Sequence, residues 1–113
     1  MHELAITNSI LDIVLKEAEK AEAQRVGRIT MVIGEMTGVV ADSVQFYFDF
    51  LSKGTPAEEA TLSFRMVPIK AQCRSCSKLF ETRELDWICP DCGGNSLEII
   101  AGKELFVESI EVE

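Results

Sequence analysis

Arg28-Ile29-Thr30-Met31-Val32-Ile33-Gly34-Glu35 is where the apolar pattern of the chain changes its period. Ile29, Met31 and Ile33 fall on one side of an extended chain and Thr30 and Val32 on the other, an alternation of two that marks a strand. On both sides of it the period is helical. Upstream, Leu4, Leu11, Val14, Ala18 and Ala21 recur at steps of seven, three, four and three, with Ile10 and Leu15 widening the stripe. This predicts a helix over about Leu4 to Ala23. Asp12, Lys16, Glu17, Glu19, Lys20 and Glu22 give it a solvated face, with pairs such as Asp12 with Lys16 and Lys16 with Glu19. Downstream, Gly34 to Ala41 reads as a loop, and Asp42 with Gln45 as an N-cap and its capping-box partner. A second helix then runs to about Lys53, presenting Val44, Tyr47, Phe48 and Leu51 with Phe46 and Phe50 beside them, and Gly54 and Pro56 stop it. An aromatic stripe at helical spacing is expected in a core, so none of these residues is given a ligand role.

Two more strands complete the pattern. Leu62, Phe64 and Met66 alternate with Ser63 and Arg65 and continue towards Lys70. The last strand covers about Leu105 to Val112, with Glu104, Glu108, Glu111 and Glu113 facing water or an edge. The expected architecture is α+β, two helices packed on a three-stranded sheet, with a zinc-ribbon subdomain inserted between strands. Residues 1–70 with 102–113 form the helix/sheet domain and 71–101 the ribbon. That insertion is rich in turns and poor in large apolar groups, so something other than a core must hold it.

Composition sets the bounds. The chain has 113 residues, 47% hydrophobic and 27% charged, which is too apolar for disorder and ordinary for a globular domain. Area scaling predicts about 6,200 Å² exposed when folded against about 18,000 Å² unfolded, enough burial for one modest core. No apolar run approaches the roughly 20 residues of a membrane span. Met1-His2-Glu3-Leu4 lacks a basic leader region, so a cytoplasmic location is expected. The formal net charge of −8 argues against nucleic acid.

Cys73-x-x-Cys76 and Cys89-x-x-Cys92 carry the most specific chemical signal. A two-residue gap lets a tight turn aim both sulfurs at one point about 2.3 Å from a metal, and a second pair completes a tetrahedron. Four thiolates leave no open position, so the site is structural rather than catalytic. In a reducing compartment a metal fits better than disulfides or a redox pair. Zinc is the expectation; rubredoxin-type iron uses the same donors, and Cys89-Pro90-Asp91-Cys92-Gly93 resembles its knuckle. Arg74, Lys78 and Arg83 are outnumbered in the insertion by Glu81, Glu84, Asp86, Asp91 and Glu98, which points to a protein-facing ribbon. Trp87 and Ile88 are expected to cover the metal. No nucleophile–base set or phosphate-binding glycine loop is present, and no enzymatic activity is expected.

His2 is the only histidine. Alone it reads as a solvated side chain, yet the α-amine of Met1, the imidazole of His2 and the amides of His2 and Glu3 lie within one chelating reach. Such nitrogen-rich planar donors suit Ni(II) or Cu(II). Taken together, Met1-His2-Glu3-Leu4, Ile33-Gly34-Glu35-Met36-Thr37-Gly38-Val39 and the four-cysteine ribbon resemble the HypA/HybF family of nickel-insertion metallochaperones. The resemblance covers the whole chain. It implies a nickel site at His2 with Met1 and Glu3 supplying further donors, Ni(II) as transferred cargo, and structural Zn(II) on Cys73, Cys76, Cys89 and Cys92. It also implies a HypB-type GTPase and the [NiFe]-hydrogenase large subunit as partners, with urease accessory proteins in some members, and leaves monomer or homodimer open. Some members carry histidines beside the cysteine knuckles. Here Ser77 and Gly93 follow the inner cysteines, so no histidine-based switch is carried over. Two other classes fit the ribbon alone, an interaction module in transcription or translation and an iron electron carrier.

Overall fold

In a computed structural model, residues 3–82 and 88–113 are described. Helix α1 spans Glu3–Lys20, strand β1 Val26–Gly34, helix α2 Ala41–Leu51, and strands β2 to β6 span Thr61–Val67, Ile69–Cys73, Leu79–Thr82, Leu97–Ala101 and Leu105–Val112. Two sheets result, ordered β2-β1-β6 and β4-β3-β5. The α+β class, with two helices on a three-stranded sheet, is as the periodicity predicted.

In the first sheet β1 is central, parallel to β2 and antiparallel to β6. A parallel neighbour requires a crossover, and α2 supplies it. Ile29, Met31 and Ile33 of β1 are fully buried with Val14 of α1 and Val44 and Phe48 of α2, so the alternation seen in the sequence faces the helices. Val32, on the opposite face, is buried as well, flanked in register by Arg65 and Phe106. The rest of that face is polar and paired: Arg65 with Glu108 at 2.6 Å and Arg28 with Glu111 at 3.8 Å. Thr7 is buried inside α1 and donates its hydroxyl back to the Glu3 carbonyl at 2.6 Å, so no polar atom is stranded there.

Several local expectations are corrected. Helix α1 ends at Lys20, and Glu22 takes φ 54°. The described ion pair on its outer face is Lys20 with Glu17 rather than a pair through Lys16. The N-cap of α2 is Val40 with no side-chain cap, and Asp42 lies in the first turn. The Val40 amide instead donates to Glu3 Oε2 at 3.3 Å, so a residue 37 positions away takes over the capping-box function. The second strand stops at Val67, because Pro68 breaks the ladder, and Ile69 starts the second sheet. In α2 only Val44 and Phe48 are buried; Tyr47 and Leu51 are half-buried, and Phe46 and Phe50 are each 69% exposed. The aromatic stripe is therefore core on one side only.

The ribbon joins the sheet where β1 ends. Gly34 N donates to Glu104 O at 2.6 Å, Met36 N to Gly102 O at 2.8 Å, and Gly102 N to Glu104 Oε1 at 2.7 Å. A Cβ on Gly34 would lie 2.1 Å from the Gly102 carbonyl oxygen, and Gly102 itself sits at φ 112° with Ile69 Cα close by. A short 3₁₀ turn over Glu35–Thr37 follows, closed by Gly38 at φ 73° and by the Thr37 hydroxyl, which donates to Gly34 O and accepts from Val39 N. The Ile33-to-Val39 motif is thus the seat of the joint. Gly34→Ala should destabilise the fold by more than about 2 kcal/mol. Gly27→Ala, whose added Cβ meets nothing nearer than 3.8 Å, should change thermal unfolding little.

Candidate metal centre

The two cysteine pairs sit in matching turns. Cys73 N donates to Lys78 O at 2.9 Å and Ser77 N to Cys73 O at 2.8 Å; Cys89 N donates to Gly94 O at 2.8 Å and Gly93 N to Cys89 O at 2.9 Å. Each turn needs one residue with positive φ, two places from the metal-facing thiols' gap: Ser77 at 63° and Gly93 at 73°. Glycine adopts that conformation freely after Cys92, whereas the serine after Cys76 holds it at a steric cost and gives no compositional signal of it. Strand β3 delivers Cys73 on a firm ladder between β4 and β5, and the Lys78 ammonium meets Asp91 at 3.8 Å across the two turns.

All four sulfurs lie within 4.8 Å of one another. Cys73 Sγ is 3.6 Å from Cys92 Sγ, and Cys76 Sγ is 3.5 Å from Cys89 Sγ. These separations are far too long for disulfides. A tetrahedron with arms of about 2.3 Å has edges of about 3.8 Å, so the donor set fits a four-coordinate thiolate metal. Cys73 and Cys89 are buried and Cys76 and Cys92 exposed, and the Gly94 amide points at Cys92 Sγ at 3.4 Å. Ile88 is 56% exposed, which corrects the expectation that it covers the metal; Trp87 lies outside the described residues, as do Arg83, Glu84 and Asp86.

Electrostatics agree with the geometry. The Cys76 amide, opposed by burial and assisted by the Ser75 amide and the Cys92 and Cys76 thiols, lowers the Cys73 thiol to about 6. Cys76 feels a lowering pull from the Lys78 amide, but the Cys89 side chain, burial and the other two sulfurs push it up to about 12. Cys92 is likewise raised, by the Cys73 and Cys89 side chains and burial against the Gly94 amide. Without a cation the cluster favours a thiolate at Cys73 and resists one at Cys76 or Cys92.

Of the three residues expected at the nickel end, Met1 and His2 lie outside the described residues. Glu3 opens α1, and its carboxylate is engaged with the Val40 amide. No signal in the sequence pointed to that contact, since the two residues are joined only by the packing of α1 beside α2.

A family model described as hydrogenase/urease nickel incorporation, metallochaperone, HypA, matches residues 1–112. The chain belongs to the HypA family. The hydrogenase maturation factor HypA of Dehalococcoides mccartyi strain 195 is 46% identical over 113 residues, all of this chain and 95% of that protein. That of Caldanaerobacter subterraneus subsp. tengcongensis is 45% identical over 114 residues, covering all of both chains. These relatives are named as maturation factors rather than catalysts. The solution structure of the Ni metallochaperone HypA from Helicobacter pylori shares the fold with TM-score 0.68 and 24% identity, covering 99% of this chain and 97% of that one. A second solution structure, of HypA protein, gives TM-score 0.74 at 23% identity and covers 100% and 97%.

Filling the cluster at pH 7 must expel protons from Cys76 and Cys92, whose raised values keep them protonated there, while Cys73 is already mostly ionised. Metal affinity should therefore rise with pH through neutrality. Zinc titrations of the metal-free protein in buffers of different ionisation enthalpy should show release of two or more protons per metal. Release near zero would mean the thiols are already charged.

Proposed function

We propose that this protein is a nickel metallochaperone for [NiFe]-hydrogenase maturation, without catalytic activity of its own. Ni(II) is held as cargo at Met1, His2 and Glu3, and Zn(II) is held structurally by Cys73, Cys76, Cys89 and Cys92. The observation that carries the reading is the HypA family match over residues 1–112, supported by His2 in the Met1-His2-Glu3-Leu4 stretch. Residues 1–70 with 102–113 act as the nickel-binding domain and 71–101 as the zinc ribbon. The partners are a HypB-type GTPase and the hydrogenase large subunit, and the setting is the cytoplasm. No described helix is long and apolar enough to cross a membrane.

The donors proposed for nickel are chemically distinct from those proposed for zinc. The Met1 α-amine, the His2 imidazole and the neighbouring amides are nitrogen ligands that suit a planar d⁸ ion. The cysteine cage offers four sulfurs at tetrahedral spacing and fits zinc. Because the Glu3 carboxylate is engaged with Val40, its proposed contribution to nickel is through the backbone, and its side chain orients the start of α1.

Two outcomes check this. Nickel affinity of untagged protein should fall steeply from about pH 8 to about pH 6, because the amine (about 7.7–8.0) and imidazole (about 6.5) must both lose protons. His2→Ala or an N-terminal extension should abolish the site with zinc retained, and unchanged nickel affinity and spectrum in either protein would falsify the assignment. Glu3→Gln should keep stoichiometric nickel but slow its transfer; complete loss of binding would make the carboxylate a ligand.

A further inference from the structure

The two cysteine turns match position for position. Cys73, Ser75, Cys76, Ser77 and Lys78 of the first stand where Cys89, Asp91, Cys92, Gly93 and Gly94 stand in the second. Their backbone hydrogen bonds are the same, and each turn buries its first sulfur and exposes its second. By exposure Cys76 and Cys92 are equivalent. They differ in what holds the turn around them.

The left-handed position is filled by Ser77 at φ 63° in one turn and by Gly93 at φ 73° in the other. Glycine takes that conformation without strain. In serine the Cβ crowds the following carbonyl, a cost that is recovered only when the turn relaxes. The contacts between the turns differ in the same direction. Behind Cys92, the Gly94 amide meets the sulfur at 3.4 Å, and a Cβ on Gly94 would stand 3.3 Å from that sulfur and 3.7 Å from Ser75 Oγ of the first turn. That side is packed without slack. Behind Cys76, Lys78 reaches across to Asp91 at 3.8 Å, with the two side chains 46% and 59% exposed. An ion pair so open to water holds little.

We propose that the cage has one weak seam, at Cys76: the Ser77 turn is the one that opens, and Cys76 is the first sulfur to leave a bound metal while Cys73, Cys89 and Cys92 keep hold of it. The inference rests on the assignment of zinc to this cage. Detachment exchanges one thiolate for water, or for a thiol or imidazole brought by another molecule, so an otherwise closed site has a single entry for ligand exchange. Opening at Cys92 would instead unpack Gly94 from Ser75 and release no strain.

Zinc-loaded, untagged protein treated with less than one equivalent of N-ethylmaleimide at fixed pH, then mapped by peptide mass spectrometry, reads which sulfur comes free first. Cys76 should carry at least about five times the label of Cys92, the ratio that one strained left-handed residue is worth. Exchanging the strain, with Ser77→Gly and Gly93→Ser in one chain, should shift that ratio towards Cys92 by at least about tenfold. The exchange leaves every charge in place, and a Cβ on Gly93 meets nothing within 4 Å. Ser77→Gly alone should slow zinc loss to a chelator about fivefold, with the circular dichroism of the helices unchanged. Equal labelling of Cys76 and Cys92 overturns the inference. So does a preference for Cys76 that the exchange leaves in place, or zinc loss from Ser77→Gly as fast as from the wild type or faster. Those results leave the zinc assignment standing; a chain that takes up no zinc on its four cysteines removes both.

Discussion

The close approach of two glycine backbones, Gly34 at the end of β1 and Gly102 at the exit from β5, is the contact on which the rest of the structure hangs. Side-chain contacts yield by rotating; a backbone-to-backbone contact of this kind has no rotamer to change. It fixes where the ribbon returns to the sheet, and with it the register of β6 against β1 from Leu105 onward. The same joint seats the 3₁₀ turn that leads to Val40, and Val40 in turn is tied to the Glu3 carboxylate at the start of α1. Two termini of secondary structure, one loop and one inserted unit therefore converge on a few hydrogen bonds.

The two sheets are stabilised by different physics. The helix-bearing sheet buries Ile29, Met31, Ile33, Val14, Val44 and Phe48 completely, each contributing about 1.5–3 kcal/mol of transfer free energy. Among the described residues, the second sheet and its turns bury only the apolar residues Ile69, Ala71, Cys73 and Cys89. Its elements are short, its turns exposed, and one of its two tight turns places a serine in left-handed conformation. Such a unit lacks the core to order itself, and four converging sulfurs that repel as thiolates give a bound cation a direct role in closing it.

How much of this the sequence disclosed follows from what each feature depends on. The period change at Arg28, the alternation in β2, the outward glutamates of β6 and the spacing of the cysteines are local, and each led to the observed element or cluster. The break at Pro68 was equally local but was read through, which merged the end of β2 with the start of β3. The cap of α2 failed for a different reason: Asp42 and Gln45 fit a capping box, and only the packing of α1 beside α2 lets Glu3 reach the Val40 amide instead. The exposure of Phe46 and Phe50 is invisible to periodicity, since Val44 and Phe48 alone satisfy the inward face and the remaining aromatics add to the same apolar count.

The division of labour between the two proposed metal sites follows from how each would let its ion go. In the cysteine cage the ligands come from two separate turns, two of the four sulfurs are buried, and β3 is laddered on both sides. Releasing an ion there means opening both turns and leaving like charges together, a barrier suited to a permanent ion. Donors drawn from consecutive residues at one end of a helix impose no such requirement. Each can be exchanged for a partner's ligand in turn, and acid competes with each of them near neutrality. A carrier needs the second kind of site, and a fold with a coreless insertion needs the first.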